Sequence, residues 1–264
     1  MTPPGIVFLM YHELELPGRP LVRSEPGYVR YILQQATFRS QIDWLRKNGW
    51  RGLNVSEALN SPAEKSVAIT FDDGCETDLV AAAPILREAG FHATFYVTAG
   101  FLDQPGYLSA SQLRELSSDS LEIGCHSMTH AYLNDLGPQQ LDSEIVAARS
   151  KLEDIVGGKI EHFSCPGGRY NDAAVAIAKR AGYRSFATSR AHSNRPSADS
   201  FQLGRVAVMR DTDQPAFEKI CTGENLWKIR LGDSLRSSLR KTIGNAIYDR
   251  VRTVFLGQPR PRQG

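Results

Sequence analysis

Two aspartates stand side by side in this chain, Asp72 and Asp73, at the end of the apolar run Val67, Ala68, Ile69 and just before Gly74. A run of that length reads as a buried strand. The acidic pair therefore stands where a strand hands over to a loop, which in barrel folds is the catalytic face. Two adjacent carboxylates are costly to leave unpaired, because like charges at close range raise each other's pKa. A bound cation removes that cost. One carboxylate can then ligate the metal while the other serves as a base beside it.

Two further stretches answer the first. In 121–130, LEIGCHSMTH, Leu121, Ile123 and Cys125 alternate as in a strand and His126 follows at its end. His126 and His130 are four apart, so a helical turn would put both imidazoles on one face, a familiar zinc-ligand spacing. In 163–171, FSCPGGRYN, Pro166, Gly167 and Gly168 require a tight irregular turn. Such a turn can present a backbone N–H at close range to a substrate oxygen.

At these three stretches the sequence resembles the polysaccharide deacetylase family, metal-dependent carbohydrate esterases that remove N- or O-acetyl groups from sugars. Thr70 to Gly74 match every position of the family's first motif, TFDDG, and His126, Ser127 and His130 match the second, H-[ST]-x-x-[HS]. Of the third, R-x-P-x-G, Pro166 and Gly168 match, while Ser164 stands where an arginine is expected. The motifs occur in family order, and the third with Arg169–Asn171 resembles the exopolysaccharide-deacetylase branch. The last family motif supplies a leucine and a histidine, but around Leu203 the sequence is LGRVAV, without a histidine.

The resemblance implies hydrolysis of an acetamide on an N-acetylated polysaccharide or oligosaccharide. Asp73, His126 and His130 would hold a divalent metal, with Asp72 as general base and the Gly167 N–H at the oxyanion. A His2Asp set suits Zn2+, with Co2+, Ni2+ or Mn2+ as alternatives. Bound metal can lower the pKa of water to about 7 and polarise the carbonyl. Arg169 is the candidate substitute for the missing arginine. His12, after the first apolar run, and His192 are the candidate proton donors. Two other readings use the same residues: a non-catalytic, metal-retaining sugar-binding relative, and a cyclic-amide hydrolase on the same fold.

The elements that must position these groups alternate along the chain. Apolar runs at 6–10, 67–69, 93–97, 121–125, 185–188 and 202–208 read as strands, and helical spacing recurs over 37–48, 79–89, 138–156 and 172–181. Thr37 is the expected cap of the first helix, and a small hairpin is expected around 28–33. Strands alternating with helices predict an α/β barrel, and the resemblance sharpens this to a distorted (β/α) barrel with fewer than eight complete units. We place the barrel over 1–221 and a basic amphipathic helical tail over 222–264.

Composition, with 41% hydrophobic and 23% charged residues, is ordinary for a soluble globular protein. Net charge is +2, but the segment from Glu224 onward holds nine Lys/Arg against three Asp/Glu. The whole chain gives no nucleic-acid signal; the tail predicts a peripheral membrane or protein contact. Cys75, Cys125, Cys165 and Cys221 fit neither a CxxC site nor a disulfide framework, so free thiols are expected. The first residues lack a basic n-region and a long apolar core, which predicts a cytoplasmic protein.

Overall fold

The structure, a computed structural model, describes residues 5–60, 64–117, 121–195 and 198–231. In chain order its first half runs β1 (Val7–Tyr11), β2 (Leu14–Glu15), α1 (Pro26–Val29), β3 (Leu33–Gln34), α2 (Gln35–Lys47), β4 (Arg51–Leu53), α3 (Val55–Asn60), β5 (Ser66–Asp73), α4 (Ala83–Ala89) and β6 (Ala93–Val97). The second half runs α5 (Ala110–Leu116), β7 (Leu121–Cys125), α6 (Pro138–Asp142), α7 (Ala148–Val156), β8 (His162–Ser164), α8 (Asp172–Arg180), β9 (Ser185–Ala187), β10 (Val206–Ala207) and α9 (Gln214–Cys221). One sheet follows the order β10-β1-β5-β6-β7-β8-β9, with β4 also paired to β5, and every ladder in it is parallel. The sheet curls into a barrel, as the alternation predicts, and into a distorted one, as the resemblance implies.

Residue alternation along the strands divides the core. Val7, Leu9 and Tyr11 of β1 and Val67, Ile69 and Phe71 of β5 point outward, into one cluster with Phe38, Ile42 and Leu45 of α2. Phe71 stacks between Tyr11 and Phe95 at 5.2 and 5.1 Å, contacts each worth about 0.5–1.5 kcal/mol beyond the area they bury. The inward row is apolar only at one end, where Ile6, Phe8, Ala68, Tyr96, Ala187 and Leu203 meet. On β5 that inward row continues from Ala68 to Thr70 and Asp72, so the same alternation that buries Ala68 delivers Asp72 into the barrel.

The closing segment brings a charge into the barrel. Leu203 bridges in parallel to Ala187, and Val206 and Ala207 pair with Leu9 and Met10. Residues 203–207 thus join the last strand to the first and carry Arg205 inside, where it is only 1% exposed.

Local expectations are corrected at three places. No hairpin forms at 28–33: α1 occupies 26–29, and Leu33 and Gln34 pair in parallel with Leu14 and Glu15. Helix α2 begins at Gln35 behind an N-cap Gln34 without a side-chain bond, so Thr37 lies within its first turn instead of capping it. The helices expected over 79–89 and 138–156 each contain a wide turn, Asp78–Ala82 and Ser143–Ala147, of the kind frequent at functional sites. No helix among the described residues is long and apolar enough to cross a membrane. The expected tail is described only to Leu231, with Trp227 and Leu231 exposed; its remainder lies outside the described residues.

Candidate metal and catalytic site

The two aspartates diverge because the backbone turns between them. Asp72 ends the inward row of β5 while Asp73 takes φ +82°, a left-handed conformation that is uncommon for a residue with a side chain. Gly74 follows at φ +82°, and a Cβ there would meet a Val97 methyl at 2.8 Å, so only glycine fits. Asp72 receives a bidentate pair from Arg205, Nη1 to Oδ1 at 2.6 Å and Nη2 to Oδ2 at 2.8 Å. Arg205 also donates to Ser164 Oγ at 2.7 Å and to Thr70 Oγ1 at 3.2 Å. Burial alone would push the Asp72 carboxyl up; Arg205 outweighs it and holds the group below its ordinary range.

This corrects the expectation for Arg169. The arginine absent at Ser164 is replaced from the opposite edge of the sheet, by Arg205 of the closing segment. Ser164 is small enough to admit that guanidinium and offers it a hydroxyl. Arg169 instead lays its guanidinium carbon 3.8 Å from the centroid of the Tyr132 ring.

His126 and His130 do not share a helical turn. Ser127 and His130 have φ +69° and +63°, so 126–130 is a loop. Its shape is fixed from below: Glu144, in the wide turn between α6 and α7, accepts the N–H of Met128 and of Thr129 and the Thr129 hydroxyl at 2.6–3.0 Å. Ser127 Oγ accepts the His130 N–H at 3.0 Å. His126 Nδ1 lies 2.9 Å from the Ser164 carbonyl, which can only accept. The proton therefore sits on Nδ1, leaving the Nε2 lone pair to face the carboxylates.

The three ligand candidates converge. One donor atom each of Asp73, His126 and His130 lies within 4.8 Å of the others, the one such group among the described residues. His130 Nε2 is 3.3 Å and His126 Nε2 3.6 Å from Asp73 Oδ1. Yet Oδ1 is buried without a hydrogen-bond partner, since His130 approaches outside bonding geometry. A carboxylate oxygen facing two imidazole nitrogens with no proton well placed between them is what a cation would complete, so the residues fit a divalent metal. Burial pushes His126 down to about 4 against the pull of Asp72, so it is neutral, as a ligand must be. Burial also lowers His130, but Asp73 more than offsets this and raises it. Asp73 is held far below the carboxylate range: burial raises it, and the three histidines outweigh burial.

The remaining candidates separate. His12 follows β1 at the same end of the barrel, its ring 4.9 Å from Tyr31 and its buried Nδ1 without a partner. Burial lowers it, while Asp73 and Asp72 act on it through space in the opposite sense. His192 is not brought to this group. It packs on Gly204, where a Cβ would lie 2.6 Å from its ring, beside the Ile6–Asn194 bridge at the far end of β1. Gly167 takes φ +59° in a turn whose internal bonds use the N–H of Gly168 and of Arg169, not its own. The residues that sequence reasoning missed are Arg205 and Glu144. All four cysteines are buried and unpaired, and burial pushes Cys125 up to about 12, so that thiol stays protonated.

Residues 60–186 match the family model described as polysaccharide deacetylase. The chain is 28% identical over 221 residues to YxkH of Bacillus subtilis, itself a candidate polysaccharide deacetylase, spanning 81% of this chain and 75% of that one. It is 25% identical over 209 residues to the poly-beta-1,6-N-acetyl-D-glucosamine N-deacetylase of Staphylococcus aureus strain MRSA252, over 72% of this chain and 71% of that one. The deacetylase PplD of Streptococcus pyogenes, solved in complex with acetate, shares the fold: TM-score 0.73 at 23% identity, over 83% of this chain and 99% of that one.

Proposed function

The chain belongs to the polysaccharide deacetylase family, and from that premise we propose that it hydrolyses the acetamide of N-acetylated sugars in a polysaccharide or oligosaccharide. The observation that carries the reading is Asp73 Oδ1, buried and unpartnered between two imidazole nitrogens. Asp73, His126 and His130 hold a divalent cation, for which Zn2+ suits the donor set best. Bound there, such a cation supplies Lewis acidity, making a water a better nucleophile and the acetyl carbonyl a better electrophile.

The chain's own groups do the rest. Asp72, kept ionised by Arg205, accepts the proton of the attacking water; its Oδ2 lies 3.7 Å from His126 Nε2 and so faces the ligand cluster. The Gly167 N–H donates to the oxygen that becomes negative. His12 delivers a proton to the departing amine. The bidentate pairing of Asp72 argues against a non-catalytic scaffold, which needs neither the base nor a buried arginine to ionise it.

Acetate release from N-acetylglucosamine oligomers tests the reading. It is expected with metal-loaded full-length chain, to cease with chelator, and to return with Zn2+, Co2+, Ni2+ or Mn2+. Metal-loaded chain that releases none on polymer or oligomer refutes it. The tail supports a second part of the proposal, a peripheral contact with an anionic membrane or a protein partner, through its Lys/Arg excess and exposed Trp227. Full-length chain left in the supernatant by anionic vesicles at low salt would exclude the lipid.

A further inference from the structure

The mouth of the site carries a charge that the reaction above does not use. Arg23, in the loop between β2 and α1, is exposed. Its guanidinium carbon lies 5.7 Å from the Tyr28 ring centroid and 5.6 Å from that of Phe101. Phe101 in turn lies 6.1 Å from the His130 imidazole, the planes within 27°, and 4.6 Å from Tyr107. Arg23 thus rests on an aromatic shelf one ring away from a metal ligand.

The loop is built to hold it there. The Val22 N–H donates to both oxygens of buried Glu13 at 3.1 Å. Arg19 pairs with Glu76 at 2.7 Å. Gly106 leaves room for Val22, whose methyl would lie 2.6 Å from a Cβ there. Glu25 and Asp73 act on Arg23 through space, but among the described residues no carboxylate pairs with it. A guanidinium stacked on ring faces keeps its N–H groups at its edge, where a carboxylate or phosphate can take two of them.

We propose that Arg23 reads the charge of the sugar next to the one being deacetylated. This rests on the N-deacetylase reading and deepens it. The guanidinium favours a neighbour that bears a carboxylate or phosphate, and disfavours one that bears an ammonium. The second half follows from the reaction: an acetamide and a water become acetate and an amine, and a free alkylamine takes up a proton at neutral pH. Each turnover therefore plants a cation on the glycan, and Arg23 repels the next approach to that place. The result is spaced deacetylation on an acidic chain.

Isothermal titration of metal-loaded full-length chain tests this with four oligosaccharides that share the reacting N-acetylated sugar. Their neighbouring sugar is neutral, a uronic acid, a phosphate ester or a free amine. Relative to the neutral ligand, Kd is expected roughly fivefold lower for at least one anion and roughly fivefold higher for the amine, the spread narrowing in about 0.5 M salt. The two acidic arms tell which anion is read. In Arg23→Met the spread collapses; in Arg23→Lys its order is kept. A wild type without spread, or Arg23→Met with the wild-type spread, overturns the proposal. Acetate release is followed in the same samples: spread without acetate refutes the deacetylase reading alone, and acetate without spread refutes the role of Arg23 alone.

Discussion

The barrel buries two clusters of carboxylate, imidazole and hydroxyl, one toward each end, and treats them differently. At the end away from the site, Glu122 Oε1 accepts from Ser56 Oγ at 2.5 Å and lies 3.2 Å from His162 Nε2. Its Oε2 accepts from Thr94 Oγ1 at 2.5 Å, and His162 Nδ1 meets Ser185 Oγ at 2.8 Å. All five of these side chains have partners. At the other end, Asp73 Oδ1, His12 Nδ1 and both carboxyl oxygens of Asp78 are buried without one. Tyr96 stands between the two, its ring 5.2 Å below Arg205, with Gly124 leaving it space. The five side chains around Glu122 thus make a strut in which each is partnered, the Tyr96 hydroxyl between the clusters is buried without a partner, and the other end is a seat where carboxylate and imidazole atoms are left unmatched. Unmatched buried atoms, more than the presence of histidine and acid, mark where a ligand belongs.

That contrast can be broken from either end. The largest effect is expected from His126→Ala, which removes a ligand: metal per chain falls to background by elemental analysis and acetate release falls to the buffer rate. Equal metal content in wild type and variant would sink the assignment. Next is Asp72→Asn, which keeps the metal while kcat drops by about two to four orders of magnitude. Turnover near wild type would take the base role from Asp72.

Arg205→Met should act on both stability and chemistry. It strands a buried carboxylate, at a cost of about 3–5 kcal/mol in urea unfolding. Burial, no longer outweighed, then raises the Asp72 carboxyl, so the acid limb of kcat/KM moves to higher pH. A limb that stays in place would show that another group ionises the base. The smallest change is expected at the matched cluster. Glu122→Gln should cost about 1–3 kcal/mol while metal content and KM stay at wild type. Burial pushes Glu122 up, but His162 and the hydroxyls hold it below the ordinary range. Its stabilisation is therefore complete above the unfolded carboxyl value of about 4.3 and is lost as pH falls through the lower folded one. A wild-type-to-variant gap that does not shrink on acidification would contradict this.

Much of the site could be read from residue types because strand ends announce themselves. TFDDG and His126 each follow a short apolar run, and His12 follows another. Whether such a histidine reaches the site depends on which end of a strand it borders, which separates His12 from His192. The four-residue spacing of His126 and His130 suits a helical turn and a loop equally; the left-handed Ser127 and His130 left no trace in the sequence. Arg205 did leave one, a single charge in the apolar run 203–208 just where the closing strand turns inward, and Ser164 marked the vacancy it fills. Glu144 left none, being one acid among several on a surface helix. His162 is fully buried inside the barrel, because the first position of β8 faces inward.

Arg205 and Asp72 lie 133 residues apart in the chain. Translation runs from the N-terminus, so the three proposed ligands exist once residue 130 has been made, Glu144 and Ser164 that hold them in place follow, and Asp72 gains its counter-ion only when residue 205 docks. A growing chain could seat a cation long before it could hold Asp72 ionised inside the barrel. The closing segment 203–207 is therefore what supplies Asp72 with its counter-ion, and a product cut short of it is expected to bind metal without releasing acetate.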